Sequence, residues 1–568
     1  MQLILREYLA SLNERNELDA LLPDLLSQMG LEVFSKPGIG SRQYGVDIAA
    51  YGSIDGEVSK VYLFSVKGGD LGRKDWNSGS VQDLQPSLDE IITVYIPTHL
   101  PSEYKNFPIE ICICFGGDLN ENVRLNVTQY EERNSTDLIS FSEWGGEKVA
   151  LYIEKYLLKE ELVPKKFRRL LGKSLALLDE PDVSHKNFLK LIQMLIDVDI
   201  QKGSEVVKAI RQLNIVLWIL FSWCRESGNL ESAYLASELT LLYAWDLSKP
   251  YLEKKSKAAN AIRKTLNAIQ CLNYQISMSY VDTKIVPHTN KLYALSNAVA
   301  PSCNVDVNLK MFDILGRLSL TGLWASWFIQ HLPQEDVELC QKARHELRQY
   351  QDAVKQLINN NPILLTPYKD DQAIDITIAF CFLALSQEND KYIHDWLLTL
   401  VERIGFNFRT HSHYPCNLNS YHELIEYPIE KTAQYREEIT AGSILYPYLA
   451  MFSALLGFDD VYGKVQELKT ELLSHCNFQI WYPDEMTESD LYLNKSNHGA
   501  TLSDVCIDKG KEEFLEQLFT ECDESNSFDE LTANKFGRWP LVFVACRHYR
   551  VPVPIHFLKD AGVASGEL

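Results

Sequence analysis

Two short segments of this chain, Gly45-Val46-Asp47-Ile48 and Leu63-Phe64-Ser65-Val66-Lys67, read as β-strands on either side of a turn at Ile54-Asp55-Gly56. Folding back at Asp55-Gly56 pairs residues whose numbers sum to about 112, which sets Asp47 opposite Ser65 within a residue or two. Side chains alternate along a strand, so Ser65 and Lys67 share one face. A carboxylate and an ammonium thus meet on one side of a small hairpin. Such an arrangement can hold a divalent cation and a phosphate together.

At 568 residues the chain is too long for one ordinary domain. Hydrophobic residues make up 46% and charged residues 23%, a globular composition. The formal net charge of -22 argues against general attraction to nucleic acid or to an anionic membrane. Any nucleic-acid contact must therefore use a local basic patch and bound cations. The 12 cysteines form no CxxC; Cys112 and Cys114 lie on one strand face, and all are expected to be reduced core residues of a cytoplasmic protein. The first residues, Met1-Gln2-Leu3-Ile4-Leu5-Arg6-Glu7, lack the apolar run of a signal peptide. The apolar runs 214–224 and 376–385 are too short to cross a bilayer and suit buried helices, so no membrane partner is expected.

Along the chain, Leu18, Leu21, Leu22, Leu25, Leu26 and Met29 recur at helical spacing, and Gly30 ends the run. A strand at 31–34, a Gly-rich loop at 37–41, the hairpin strands 45–52 and 59–67, and a helix at 81–92 come next. The apolar run 109–115 reads as a central strand, and a helix covers 145–159. The order α-β-β-β-α-β-α describes an α/β domain over residues 1–160. Lys165, Lys166, Arg168, Arg169 and Lys173 mark a basic linker at 161–174. From 175 to 568 the pattern is mainly helical, an irregular helical array with a possible subdivision near 360. The segment 218–245 resembles a single tetratricopeptide-like hairpin without a repeating period, and 476–510 reads as a long polar loop.

The N-terminal part resembles the restriction-endonuclease-like superfamily with the PD-(D/E)xK motif, in its Mrr-like branch. That branch has a helix bearing an acid, a G-x-D strand, and a strand ending in (E/Q)xK. Counting back from Gly30, Asp19 stands at the helix acid; Asp47, in Gly45-Val46-Asp47, stands at the metal-binding aspartate; Lys67 stands at the lysine. The segment Lys67-Gly68-Gly69-Asp70-Leu71-Gly72-Arg73-Lys74 is also similar to the stretch on the carboxyl side of the motif in that branch. One position departs: Ser65 stands where the branch has an acid or glutamine, and a hydroxyl is a weaker ligand for a hard cation.

The resemblance implies an α/β restriction-endonuclease-like domain that hydrolyses phosphodiester bonds of DNA, ahead of RNA, with Mg²⁺ or Mn²⁺. Asp47, Ser65, the Val66 carbonyl and Asp19 would surround the metal, with Asp70 or Glu17 as further donors. Lys67 would orient the attacking water. Arg73, Lys74, Lys165, Lys166, Arg168 and Arg169 are the candidate nucleic-acid contacts. It also implies a restriction-like or anti-phage defence role, in which the helical region senses a trigger, binds a protein partner or forms a homo-oligomer. The alternative is a catalytically inactive scaffold or adaptor, which Ser65 favours. His411, His413, Cys416 and His422 match no zinc spacing and read as a polar loop.

Overall fold

The computed structural model describes all residues apart from 1–5, 7–8, 11, 13, 36–43, 81–82, 158–164, 300–302, 334–335, 430–431 and 564–568. The described chain divides into two compact units, Met1–Met194 with Ile215–Ser232, and Leu195–Asn214 with Ala233–Leu568. The helices Lys165–Ala176 and Pro181–Leu195 thus fall almost wholly in the first unit.

A mixed five-stranded sheet organises the first unit. Helix α1 (Asp19–Gln28) precedes β1 (Glu32–Ser35), β2 (Ile48–Gly52) and β3 (Lys60–Lys67). Helix α2 (Leu84–Glu90), β4 (Ile109–Phe115), α3 (Glu121–Asn134), β5 (Ile139–Trp144) and α4 (Gly146–Tyr152) complete it. In space the strands keep their chain order, antiparallel from β1 to β3 and parallel from β3 to β5. Ile48 pairs with Phe64 and Gly52 with Lys60, which is the fold-back expected from the Asp-Gly turn. Asp55 and Gly56 both take positive φ, 54° and 85°, as a tight hairpin turn requires. Strand β3 is buried from Val61 to Val66, as suits a strand with neighbours on both sides and helices on its faces. Val61 and Leu63 join Leu84, Leu88, Val123 and Val127 in one core, while on the other face the Phe64 ring meets Trp144 edge-on at 4.9 Å.

Helix α3 and strand β5 are not expected from the sequence pattern. Only Val123, Val127 and Tyr130 of α3 are buried, and only Trp144 of β5. That is too thin a stripe to set a period. The loops at the carboxyl ends of β3, β4 and β5 stack backbone on backbone. Gly117 N–H donates to Gly69 O at 2.8 Å, and Gly146 N–H to Gly117 O at 2.9 Å. A Cβ on Gly146 would lie 2.2 Å from Gly116 O, so nothing larger than glycine fits without moving main chain. Gly146→Ala is expected to destabilise this unit by about 1–3 kcal/mol, read from chemical denaturation.

The second unit is mainly helical. Four of its helices are α5 (Glu231–Ser248), α6 (Asn304–Gln330), α7 (Ala373–Leu383) and α8 (Pro540–Tyr549). A Cβ on Gly322 of α6 would lie 2.2 Å from the Phe382 ring of α7, so the ring rests against the main chain of α6 at that glycine. Arg547 of α8 places Nη2 2.5 Å from Glu238 Oε2 of α5 and Nη1 2.9 Å from Asp313 Oδ1 of α6. The guanidinium lies 5.2 Å from the Tyr234 ring centre. Burial opposes ionisation of Glu238, yet Arg547 and His548 outweigh it and bring the carboxyl down to about 2.

The segment 476–510 differs from the expected polar loop. Ile480–Tyr482 pairs antiparallel with Ala500–Leu502, and Leu491 and Tyr492 are fully buried. The 12 cysteines are all free, and eight are buried. Among the described residues one helix, Gly203–Ser227, has the length and composition of a membrane span; its Ile210, Leu213, Leu217 and Leu220 are buried in the protein.

Candidate active site

Strand β2 begins one residue after Asp47, and that local break makes the site. Tyr44 and Gly45 turn the chain with φ of 50° and 81°. A Cβ at Gly45 would sit 2.0 Å from Ser87 O, which accounts for glycine two residues before the aspartate. Asp47 N–H still donates to Phe64 O at 2.9 Å, but its side chain takes over the next rung. Val66 N–H donates to Asp47 Oδ2 at 2.8 Å. In an extended strand the N–H and C=O of one residue point to the same edge. The Val66 carbonyl therefore points to the edge of β3 on which Asp47 stands.

Lys67 ends β3, and its Nζ lies 3.3 Å from Glu14 Oε2. Glu14 opens a π-helical turn, Glu14–Leu18, that runs directly into α1, whose first residue is Asp19. Burial pushes the Asp47 carboxyl up to about 6; Val66 N–H and Lys67 pull it down, and Glu14 and Asp19 push it further up. Lys67, Glu14 and Asp19 thus all act electrostatically on Asp47. Three carboxylates and one ammonium share that field, a local surplus of negative charge.

No family model, curated protein or solved structure matches the chain.

The other candidate residues fall in several places. Ser65 is only 1% exposed. Asp70 Oδ1 accepts Asp118 N–H at 2.8 Å and so ties the loop after β3 to the loop after β4. Arg73 and Lys74 are exposed on the single turn Arg73–Trp76. Arg169 is exposed on the helix Lys165–Ala176, whereas the side chains of Lys165, Lys166 and Arg168, and that of Glu17, lie outside the described residues. In the second unit His413 stacks on Tyr368 at 4.2 Å, with Nε2 3.2 Å from Leu424 O. Among the described residues no three His, Cys, Asp or Glu side chains gather to hold a metal, there or around Asp47.

The residues around Asp47 nonetheless fit a magnesium-like ion. Mg²⁺ keeps several waters and binds through one or two carboxylates. The Asp47 carboxylate and the Val66 carbonyl offer two oxygens at one strand edge. The raised Asp47 carboxyl marks a buried anion with too little compensation, which is what an arriving cation supplies.

Sequence reasoning missed Glu14. It precedes Asp19 by five residues, a spacing that sets two side chains on different faces of an α-helix. The π turn takes up the extra residue and brings both acids toward the sheet. Composition carries no signal for such a turn.

Proposed function

We propose that the first unit is a divalent-cation-dependent nuclease of restriction-endonuclease-like fold that hydrolyses phosphodiester bonds of DNA. The observation that carries this reading is the Asp47 side chain on the edge of β3 at Val66, one residue before Lys67. Asp47 and the Val66 carbonyl would hold Mg²⁺ or Mn²⁺. Once bound, such an ion supplies Lewis-acid polarisation of the scissile phosphate and lowers the pKa of a coordinated water. Lys67 offers its ammonium to the non-bridging phosphate oxygens and orients the attacking water. Asp19 adds an acceptor that holds a water in place. Water is the nucleophile, so no covalent enzyme intermediate forms, and the leaving oxygen departs as the other strand end.

The net charge of -22 repels a nucleic-acid backbone, so productive binding is proposed to need a protein partner, an activator or self-association through the helical unit. A restriction-like or anti-phage role for the whole protein rests on the family resemblance alone. Burial of Ser65, at a position where that family has an acid or glutamine, favours the second reading of an inactive scaffold.

Incubating the full chain with plasmid and Mg²⁺ or Mn²⁺ separates the two. Lys67→Ala is expected to slow cleavage by roughly two to three orders of magnitude, and a chelator to stop it in the parent protein. Equal cutting by the parent, Asp47→Ala and Lys67→Ala proteins would leave only the scaffold.

A further inference from the structure

Two helices of the second unit, Asp390–Thr410 and Asp459–Glu471, border a groove of about 570 Å³. A volume of that order holds a small organic molecule. Its floor is apolar, with Val401 1% and Leu468 4% exposed. Gly405 lets Leu468 close in, since a Cβ there would lie 2.9 Å from Leu468 Cδ2. Phe406 also lines the groove and is 59% exposed, a large apolar side chain among charged ones. Arg403 and Arg409 stand one turn before and one turn after it on the same helix. Lys464, on the other helix, feels the charges of both Glu402 and Arg409, so cations border the ring from both helices. Arg409 rests on Glu471 at 2.8 Å and Lys464 on Glu467 at 2.8 Å, and such exposed pairs are weak ties. The Arg403 guanidinium has no ion-pair partner among the described residues.

We infer that this groove is a nucleotide-binding site: the base stacks on Phe406, and the phosphates bind Arg403, Arg409 and Lys464, drawing the last two off Glu471 and Glu467. Guanidinium groups hold phosphate through paired, charge-assisted hydrogen bonds, and a phenyl face stacks on any planar base. A ring without charge, or an anion without a ring, meets only half of the site. On a chain of net charge -22, a polyanion is held only where cations gather. The groove belongs to the second unit, and the inference does not depend on the nuclease reading of the first.

The test is titration calorimetry of the full-length protein with ATP, GTP, CTP and UTP in turn, at low salt and with a chelator that keeps cation-dependent chemistry silent. At least one nucleotide is expected to bind saturably. Phe406→Ala is expected to weaken that binding about tenfold, and the Arg403→Gln/Arg409→Gln protein by about tenfold or more. Glu467→Gln is expected to tighten it about two- to fivefold, because Lys464 loses its competing carboxylate. The free nucleoside and inorganic triphosphate should each bind at least about tenfold more weakly than the nucleotide. Phe406, Arg403 and Arg409 are exposed, so thermal melting unchanged from the parent separates lost binding from lost folding. Absence of binding by all four nucleotides at millimolar concentration overturns the inference. So does an affinity indifferent to Phe406→Ala, and so does inorganic triphosphate binding as tightly as the nucleotide, which leaves only a patch for anions.

Discussion

Asp47→Asn is expected to slow cation-dependent cleavage by about two to three orders of magnitude while making the first unit harder to unfold at neutral pH. The two effects share one cause. The Asp47 carboxyl stands at about 6, raised by burial and by the neighbouring acids Glu14 and Asp19. An unfolded aspartate titrates near 3.9, so between about pH 4 and pH 6 the folded chain binds the extra proton. Stability contributed by this group therefore falls as pH rises through that window and stays low above it. The amide removes the charge yet keeps an oxygen to accept Val66 N–H. A gain of roughly 1–3 kcal/mol near pH 7 is expected, and the fall between pH 4 and 6 flattens. Calorimetry across pH measures the stability half; plasmid cleavage measures the other, with a loss of about two to three orders of magnitude expected. A variant that is inactive and less stable would contradict the account of Asp47 as a destabilising functional anion.

The second large effect is in the helical unit. Arg547→Ala is expected to destabilise it by about 3–5 kcal/mol, because Glu238 stays behind as a buried charge with only His548 beside it. Glu238 is 2% exposed and Arg547 4%, so water cannot replace the lost guanidinium. The pH dependence checks the cause. Glu238 is depressed to about 2 in the folded protein, and an unfolded glutamate titrates near 4.3. Its stabilisation is present above pH 4.3 and is lost as pH falls toward 2. In Arg547→Ala that acid-side loss shrinks, since the carboxyl keeps only His548 to set against its burial. Arg547→Met with Glu238→Gln should recover much of the stability, because a neutral pair leaves no charge to bury. Differential scanning calorimetry of the three proteins distinguishes these outcomes.

How much of this was legible in the chain differs from element to element. The hairpin was legible because Asp55-Gly56 meets a turn that demands positive φ twice, and because the register is set once the turn is known. Gly45 was legible only as part of the Gly-x-Asp motif; its left-handed backbone and its closeness to Ser87 O emerge from the structure. Helix α3 and strand β5 were not, since each buries too few side chains to carry a period. The segment 476–510 looked irregular because its turns are polar, yet Asp484 and Thr487 bond each other while Leu491 and Tyr492 fill a core. At the candidate site, Asp47 and Lys67 could be placed by hairpin pairing and strand alternation, and Asp19 through the family resemblance alone. Glu14 could not, because a π turn breaks the count. The Arg547–Glu238 pair lies 309 positions apart in the chain, beyond the reach of any local pattern.

The sheet of the first unit adds its strands in the order in which the chain is made, β1 to β5. Each new strand finds a ready edge as it leaves the ribosome, and none has to be inserted between two that already pair. The lysine-bearing edge strand of the early hairpin remains open until β4 covers it. Pulse-labelled amide exchange on arrested nascent chains should accordingly protect β2 and β3 before β4, with Asp47 already bonded to Val66 N–H before the parallel half of the sheet is closed.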